Sequence, residues 1–184
     1  MFDFIRKFFS GKNVTIINGQ IVGEGAKGEL RDFDEKKSEN ADKIEKIAID
    51  SAFAGVKVSA SDTTEITAHF YGQAVVDGEL NFDFLTVGCE LRISIIFKGS
   101  YCNGNLNLDI AVPDKIFKAI SAKSMSADVV LGENVSSERI DVETQSGNFE
   151  TRATFVKAFA STMSGNIDLF IKDKGIKHFH TIQV

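Results

Sequence analysis

The stretch from Ile116 to Leu169 decides the fold, because it repeats one strand–turn–strand pattern three times. Each copy is built around a serine that is followed by a small residue, a turn-forming polar residue and an apolar residue: Ser126-Ala-Asp-Val, Ser146-Gly-Asn-Phe and Ser164-Gly-Asn-Ile. The copies are 20 and 18 residues apart. A short period with a turn at a fixed offset is typical of a solenoid, in which each coil buries its apolar face only when neighbours stack on it.

Alternate residues of such a coil face inward and stack on their equivalents in the next coil. We therefore expect two apolar ladders, the first formed by Ile120, Ile140 and Ala158, and the second by Val129, Phe149 and Ile167. The turns place Ala127, Gly147 and Gly165 where the backbone bends, and Asp128, Asn148 and Asn166 where a short polar side chain can bond local backbone groups. We assign these serine, threonine and asparagine stacks a structural role, because hydroxyls and amides in turns routinely satisfy backbone groups.

The chain before the repeats is less regular. Residues 1–12 predict a short amphipathic helix with Phe2, Ile5 and Phe8 on one face, and residues 13–22 predict a hairpin through Asn18-Gly19. Residues 23–46 are rich in both charges and predict an exposed mobile loop. Residues 47–115 alternate apolar and polar side chains between glycine-containing turns, which predicts irregular strands.

These segments define a single domain over residues 1–184. The predicted class is all-β: a single-stranded parallel β-solenoid, β-helix-like, with regular coils over residues 116–184, less regular N-terminal strands and a short N-terminal helix. The sixteen phenylalanines, with no tryptophan, predict an aromatic and aliphatic core.

Charge and hydropathy exclude several function classes. The net charge is −5 and no cluster of lysine and arginine occurs, which argues against nucleic-acid binding. No apolar run approaches the roughly 20 residues that a membrane span needs, and the first residues are too charged for the apolar region of a signal peptide. As written, the sequence predicts a cytoplasmic protein; it predicts a cell-surface protein if a natural leader is missing or if export is non-standard.

Few residues have the pattern of a catalytic or metal-binding site. Glu150 and Asp168 occupy equivalent outward positions on successive coils, with Asp141 and Glu143 on the preceding strand, so stacked carboxylates could share a proton or a cation. His178 and His180 alternate on one strand and share a face, which is the minimum for two metal ligands, and His69 is the only further histidine. We expect surface residues rather than a catalytic or metal site, and no cofactor.

Cys89 and Cys102 are too few for a disulfide scaffold. We expect two free buried thiols rather than one bridge.

The run Leu106-Asn-Leu-Asp-Ile-Ala-Val-Pro, followed by copies ending Ser-Gly-Asn-Phe and Ser-Gly-Asn-Ile, carries a resemblance. It resembles the bacterial putative-adhesin domain family of unknown function, whose members have a strand ending in proline and then β-solenoid coils marked by Ser-Gly-Asp/Asn. The likeness covers roughly residues 45–184. It implies a parallel β-solenoid and a cell-surface adhesive or scaffolding role, and it carries over no catalytic residues.

We therefore expect a non-enzymatic, adhesin-like binding or scaffolding protein with a protein or glycan ligand. The alternatives are a carbohydrate-active solenoid enzyme that uses the outward carboxylates, and a cytoplasmic regulatory interaction module. Lys177 to Val184 begin a fourth copy whose strand has few charges to protect its edge. We expect that edge to be a contact surface, covered by a second subunit in a homodimer or by the N-terminal helix. Contact of Phe2, Ile5 and Phe8 with a membrane surface is a further alternative for that helix.

Overall fold

The computed structural model describes the backbone of residues 15–17, 20–22, 28–170 and 178–183, and the side chains of residues 28–99 and 102–170. All regular elements in these ranges are strands, which confirms the all-β prediction. The helix predicted over residues 1–12, with its face of Phe2, Ile5 and Phe8, lies outside the described residues.

Fifteen strands occur in the described part of the chain. They are β1 (Thr15–Ile17), β2 (Gln20–Val22), β3 (Glu29–Asn40), β4 (Lys46–Ser51), β5 (Gly55–Ser61), β6 (Glu65–Val87), β7 (Glu90–Pro113), β8 (Ile116–Phe117), β9 (Ala119–Ser124), β10 (Val129–Leu131), β11 (Ser136–Thr144), β12 (Phe149–Thr151), β13 (Thr154–Thr162), β14 (Ile167–Leu169) and β15 (His178–Gln183). β1 and β2 form an antiparallel pair by themselves, and the other thirteen strands form one sheet.

Both predicted ladders are confirmed. Ile140 of β11 pairs with Ile120 and with Ala158, and Phe149 of β12 pairs with Val129 and with Ile167, all in parallel register. Five of these six side chains are buried, and Ile167 is half-buried. The three copies therefore stack as the period predicted, with β9, β11 and β13 in one branch of the sheet and β10, β12 and β14 in the other.

A further copy of the pattern occurs within residues 47–115, where the sequence indicated only irregular strands. Ile47 of β4 pairs with Ile120, Ser51 pairs with Ser124, and Val56 of β5 pairs with Val129. β4 and β5 thus pair with the stacked copies in the same register. The long hairpin of β6 and β7 separates this copy from the others in sequence, so the period is interrupted although the stack is continuous.

The hairpin of β6 and β7 joins the two branches. β7 pairs in parallel with β4 through Glu90–Ile95 and with β5 through Asn107–Pro113, and it pairs with β6 in antiparallel register along its length. Because one strand borders both branches, the sheet curls around a single core. The core contains the fully buried rings of Phe70, Phe117 and Phe149.

The turn predicted at Gly88 is correct, since it joins β6 to β7, but the other turns predicted within this hairpin are wrong. Gly72, Gly78, Gly99 and Gly104 lie inside the two long strands, with a register shift at Asp77/Gly78. A Cβ at any of these glycines would collide with the backbone of the paired strand. The glycines therefore permit close approach and bending, and they do not end the strands.

The charged loop predicted over residues 23–46 is also wrong over most of the residues that the structure describes. Residues 29–40 form β3, which pairs with β6 in antiparallel register over twelve residues. Its side chains are almost all exposed, apart from half-buried Phe33 and Lys37. Charged residues are frequent on edge strands because they discourage pairing with other chains. The charged composition of this edge strand therefore resembled that of an exposed loop.

Candidate functional site

Buried hydroxyls bond the backbone in the turns that connect the two branches, namely β4–β5, β9–β10, β11–β12 and β13–β14; we call these turns the corners. Ser51, Ser124 and Thr144 each donate a hydrogen bond to the carbonyl oxygen three residues later, at 2.7, 2.8 and 2.7 Å. Thr162 continues this stack and accepts a hydrogen bond from the N–H of Gly165 at 2.9 Å. The four hydroxyls lie in register and are at most 7% exposed. They are structural, as predicted.

The asparagine stack beside these corners links successive coils. The Asp128 carboxylate accepts a hydrogen bond from the backbone N–H of Asn148 at 2.7 Å. The Asn148 side-chain oxygen accepts one from the N–H of Asn166 at 2.9 Å. The prediction of local backbone bonding is wrong for Asp128 and Asn148, because each of these side chains bonds the backbone of the next copy.

The outward side of β3, β6, β7 and β5 carries a dense set of polar side chains, which we call the polar face. Cross-strand pairs bring together His69 with Asp109, Tyr71 with Asn107, and Gln73 with Asn105. β3 adds three residues to the same side, and β5 adds Lys57 opposite Asp109. The polar face consists of Asp32, Asp34, Lys36, Lys57, His69, Tyr71, Gln73, Asn105, Asn107 and Asp109.

A depression of about 500 Å³ opens in the polar face where β5 meets β7. Gly55, opposite Asn107, has no side chain to fill the space. The main side chains around the depression are Phe53, Lys57, Tyr71, Asn105, Asn107, Asp109 and Asp128. The depression is open and mostly polar, unlike the enclosed apolar cleft of many enzymes.

The aromatic and acidic residues of the polar face are held in place by one another. The Tyr71 hydroxyl donates a hydrogen bond to Asp109 at 3.1 Å, and its ring lies against His69 with centroids 4.6 Å apart. The hydrogen bond to Asp109 and the charge of that carboxylate raise the pKa of Tyr71 above its ordinary value. The His69 ring also bonds Asp34 at 2.7 Å. Tyr71 is therefore fixed before any ligand arrives.

Three polar groups around the depression have no such partner. The carboxamides of Asn105 and Asn107 and the ammonium group of Lys57 form no hydrogen bond or ion pair with the part of the chain that the structure describes. All three border the space above Gly55. These groups are free to bind a ligand.

The carboxylates singled out from the sequence fall into two separate pairs. Glu150 and Asp168 are register neighbours on β12 and β14, in the row that continues from Lys57 through Val130. Glu150 is also bonded to Arg152 at 3.1 Å.

Asp141 and Glu143 lie on β11, in the other branch, and are engaged by basic residues. Arg139 donates two hydrogen bonds to Asp141 at 2.6 and 2.7 Å, and Lys123 lies 3.2 Å from Glu143. The hydrogen bond to Asp141 and the charge of that carboxylate raise the pKa of Arg139. These four carboxylates do not converge on one site.

His178 and His180 lie on β15, at the register positions of Lys157 and Phe159 of β13. Their side chains lie outside the described residues. His69 is on β6, which is not paired with β15, and it bonds Asp34. The side chains that the structure describes contain no group of three or more histidine, cysteine or acidic residues that could hold a metal ion.

Cys89 and Cys102 are free thiols, as expected, but they are not both buried. Cys89 is exposed in the turn between β6 and β7, and Cys102 is half-buried. Partial burial raises the pKa of the Cys102 thiol.

The sequence reasoning missed Tyr71, Asn105 and Asn107. A signal was present: Asn103, Asn105, Asn107 and Asp109 occupy every second position of β7. The inward Leu106, Leu108 and Ile110 alternate with this polar series and are equally consistent with an ordinary half-buried strand.

No protein-family model matches the sequence, and no curated protein matches it. Among solved structures, a putative cell adhesion protein from Clostridium sporogenes superposes with a TM-score of 0.58 at 11% identity, over 76% of this chain and 73% of that chain. The likeness to the Clostridium sporogenes protein shows a shared fold. A putative adhesin from Parabacteroides distasonis has a TM-score of 0.40 at 11% identity, over 78% and 66% of the two chains. Another from Parabacteroides merdae has a TM-score of 0.28 at 11% identity, over 86% and 97%. These last two alignments are too weak to add to the argument.

In the ranges whose structure is described, no helix is long and apolar enough to cross a membrane.

Proposed function

We propose that the chain is a non-enzymatic, adhesin-like binding or scaffolding protein built as a short parallel β-solenoid. The observation that carries the proposal is the open polar face, on which side chains of adjacent strands lie side by side around a shallow depression. An extended surface of this kind suits contact with a large partner, whereas an enzyme needs titratable groups that converge on a reacting atom.

Three further observations support the proposal. The copies of the repeat pair in parallel register, as the coils of a solenoid do. The Clostridium sporogenes protein with a similar fold is named as a putative cell adhesion protein. Among the outward carboxylates, Glu150, Asp141 and Glu143 are each engaged by a basic side chain, which makes them poor candidates for proton transfer.

The enzyme alternative rests on the register pairing of Glu150 with Asp168. The test uses the purified full chain and the double variant Glu150→Gln/Asp168→Asn. Both proteins are incubated with neutral and acidic polysaccharides, and the release of reducing ends is measured. We expect no release by either protein. Release by the wild type that the double variant lacks would overturn the non-enzymatic proposal.

Binding is measured on the same two proteins with immobilised oligosaccharides and with immobilised mucin, fibronectin and collagen. We expect the wild type to bind at least one of these surfaces and the double variant to bind it equally well. Failure of the wild type to bind any surface would contradict an adhesin-like role.

A further inference from the structure

We propose that the depression above Gly55 is a binding site for a neutral oligosaccharide. The inference rests on the proposed binding function and adds the class of ligand and the residues that contact it. It is carried by the shape of the depression, the unpartnered amides of Asn105 and Asn107, the fixed ring of Tyr71 and the local balance of charge.

The shape suits one or two sugar rings within a longer chain. The volume of about 500 Å³ falls within the range of small-ligand sites, and the depression is open at the surface. Outward residues of adjacent strands repeat at about 4.8 Å across the sheet. That distance is comparable to the length of one pyranose unit in an extended chain, so neighbouring sugars can meet equivalent positions of neighbouring strands.

The amides supply the hydrogen bonds that sugar hydroxyls require. Each carboxamide offers an N–H donor and a carbonyl acceptor, so it can bond a hydroxyl in both of its roles. Asn105 and Asn107 face the depression side by side at alternate positions of β7, and neither is engaged within the described chain. An apolar ligand would cover these amides and leave them unsatisfied, which is unfavourable.

Tyr71 supplies a flat apolar surface beside the amides. The C–H face of a pyranose packs against such a ring, and the hydroxyls at its rim remain free to bond polar side chains. Asp109 and His69 hold Tyr71 in place, so binding costs little side-chain entropy. Phe53 adds a second aromatic ring at the border of the depression.

The charge around the depression favours a neutral ligand. Lys57 is its only lysine or arginine, and Asp109 and Asp128 are its carboxylates, which gives a net charge of −1 (one positive and two negative groups). Acidic polysaccharides and nucleic acids would meet net repulsion, because no cluster of basic residues is available. Hydroxyl-rich neutral chains meet no such cost.

The decisive experiment uses a variant whose new side chain is designed to occupy the depression. A Cβ added at Gly55 would lie 3.6 Å from Asn107 Oδ1 and 3.9 Å from Leu106 O, which is ordinary contact. Gly55→Gln therefore starts a side chain at the edge of the site with no clash at its Cβ, and replacing a strand glycine favours the fold. Ser59→Gln is the matched control, since Ser59 is four residues further along β5 and does not border the depression.

A second variant removes the proposed contacts. Asn105→Ala/Asn107→Ala deletes both free amides, and Asn81→Ala is its control, because Asn81 is an exposed asparagine of β6 away from the depression. Binding of the full chain is measured on an array of immobilised hexasaccharides of glucose, mannose and N-acetylglucosamine. Oligogalacturonate serves as the acidic comparison. Thermal unfolding is recorded for each variant to verify folding.

We expect the wild type and both controls to bind at least one neutral hexasaccharide, and Gly55→Gln and the double alanine variant to lose at least about tenfold in affinity. Binding by folded Gly55→Gln equal to that of the wild type would overturn the site. Binding of the wild type only to oligogalacturonate or to proteins would overturn the ligand class and leave the proposed binding function standing. No binding to any hexasaccharide would likewise overturn the inference, whereas release of reducing ends would refute the proposed function itself.

Discussion

The stacked copies of the repeat and the long β6–β7 hairpin differ in how their outward side chains are engaged. In the stacked copies, several outward charges are paired, as Arg139 is with Asp141 and Arg152 with Glu150. In the hairpin, Asn105 and Asn107 have no partner in the described chain. These charges are satisfied within the stacked copies, whereas the inserted hairpin leaves two amides without a partner in the described chain. A scaffold and a candidate site are thus separated within one sheet.

The same contrast holds at the bends. Gly147 and Gly165 lie where a Cβ would meet the carbonyl of the coil below, so these glycines are required for stacking. A Cβ at Gly55, at the edge of the depression, would make only ordinary contacts at 3.6 and 3.9 Å. The glycines of the repeat therefore serve the stacking of the copies, whereas the glycine beside the inserted hairpin leaves room for a ligand.

The largest expected effect is the loss of stability when a charge is placed in the core of the stacked copies. Ile140 is fully buried between Ile120 and Ala158, so Ile140→Lys would bury a charge with no partner and cost at least about 3 kcal/mol of the free energy of unfolding. Urea denaturation measures the change. Val156→Lys, at a position 44% exposed on β13, is the control and should change stability little. Equal stability of the two variants would show that the ladder register is wrong.

The next largest expected effect is a change of oligomeric state when the edge strand of the stack, β15, is altered. β15 pairs with β13 on one side, and no strand in the described ranges pairs with its other side. We propose that a second copy of the chain covers this edge in a two-fold pair. Sedimentation should therefore show a dimer for the wild type and a monomer for Ile182→Pro. A monomer in both would favour residues 1–12 as the cover.

A smaller effect is expected at the corners. Thr144 is 2% exposed and donates a hydrogen bond to the Gly147 carbonyl at 2.7 Å. Thr144→Val keeps the shape and removes the donor, which should lower the free energy of unfolding by about 1–2 kcal/mol. Thr154→Val is the control, since Thr154 is exposed. Thermal or urea unfolding measures both, and equal losses would show that the hydroxyl stack does not stabilise the corners.

The smallest effect concerns the polar face at high pH. Asp109 raises the pKa of Tyr71, so the folded protein holds this proton more tightly than the unfolded chain does. The resulting stabilisation is fully present below the unfolded pKa, about 10, and is lost as pH rises from there through the higher folded pKa. Absorbance titration in a Tyr101→Phe background measures the Tyr71 pKa. Asp109→Asn should lower it, and an unchanged value would contradict the hydrogen bond.

The all-β class, the two ladders and the corner turns were predictable because their signals are local. Strand alternation and a serine at a fixed offset from a small residue repeat within twenty residues, and a period of that length already implies stacking. The copy at β4 and β5 carries the same spacing from Ser51 to Val56 as from Ser124 to Val129. The intervening hairpin hid this copy, since sequence distance does not report adjacency in a sheet.

The sequence by itself determined which residues of each strand face the core. Apolar residues alternate with polar ones, and the apolar set must be buried. The sequence also determined the glycines and hydroxyls of the corners. Only the tertiary structure decided which outward residues are neighbours. Tyr71 meets Asn107 across the antiparallel register of β6 and β7, and Lys57 meets Asp109 because β7 borders β5 in parallel. Outward polar residues carry no burial signal, so their pairing follows from the path of the chain and not from their own pattern.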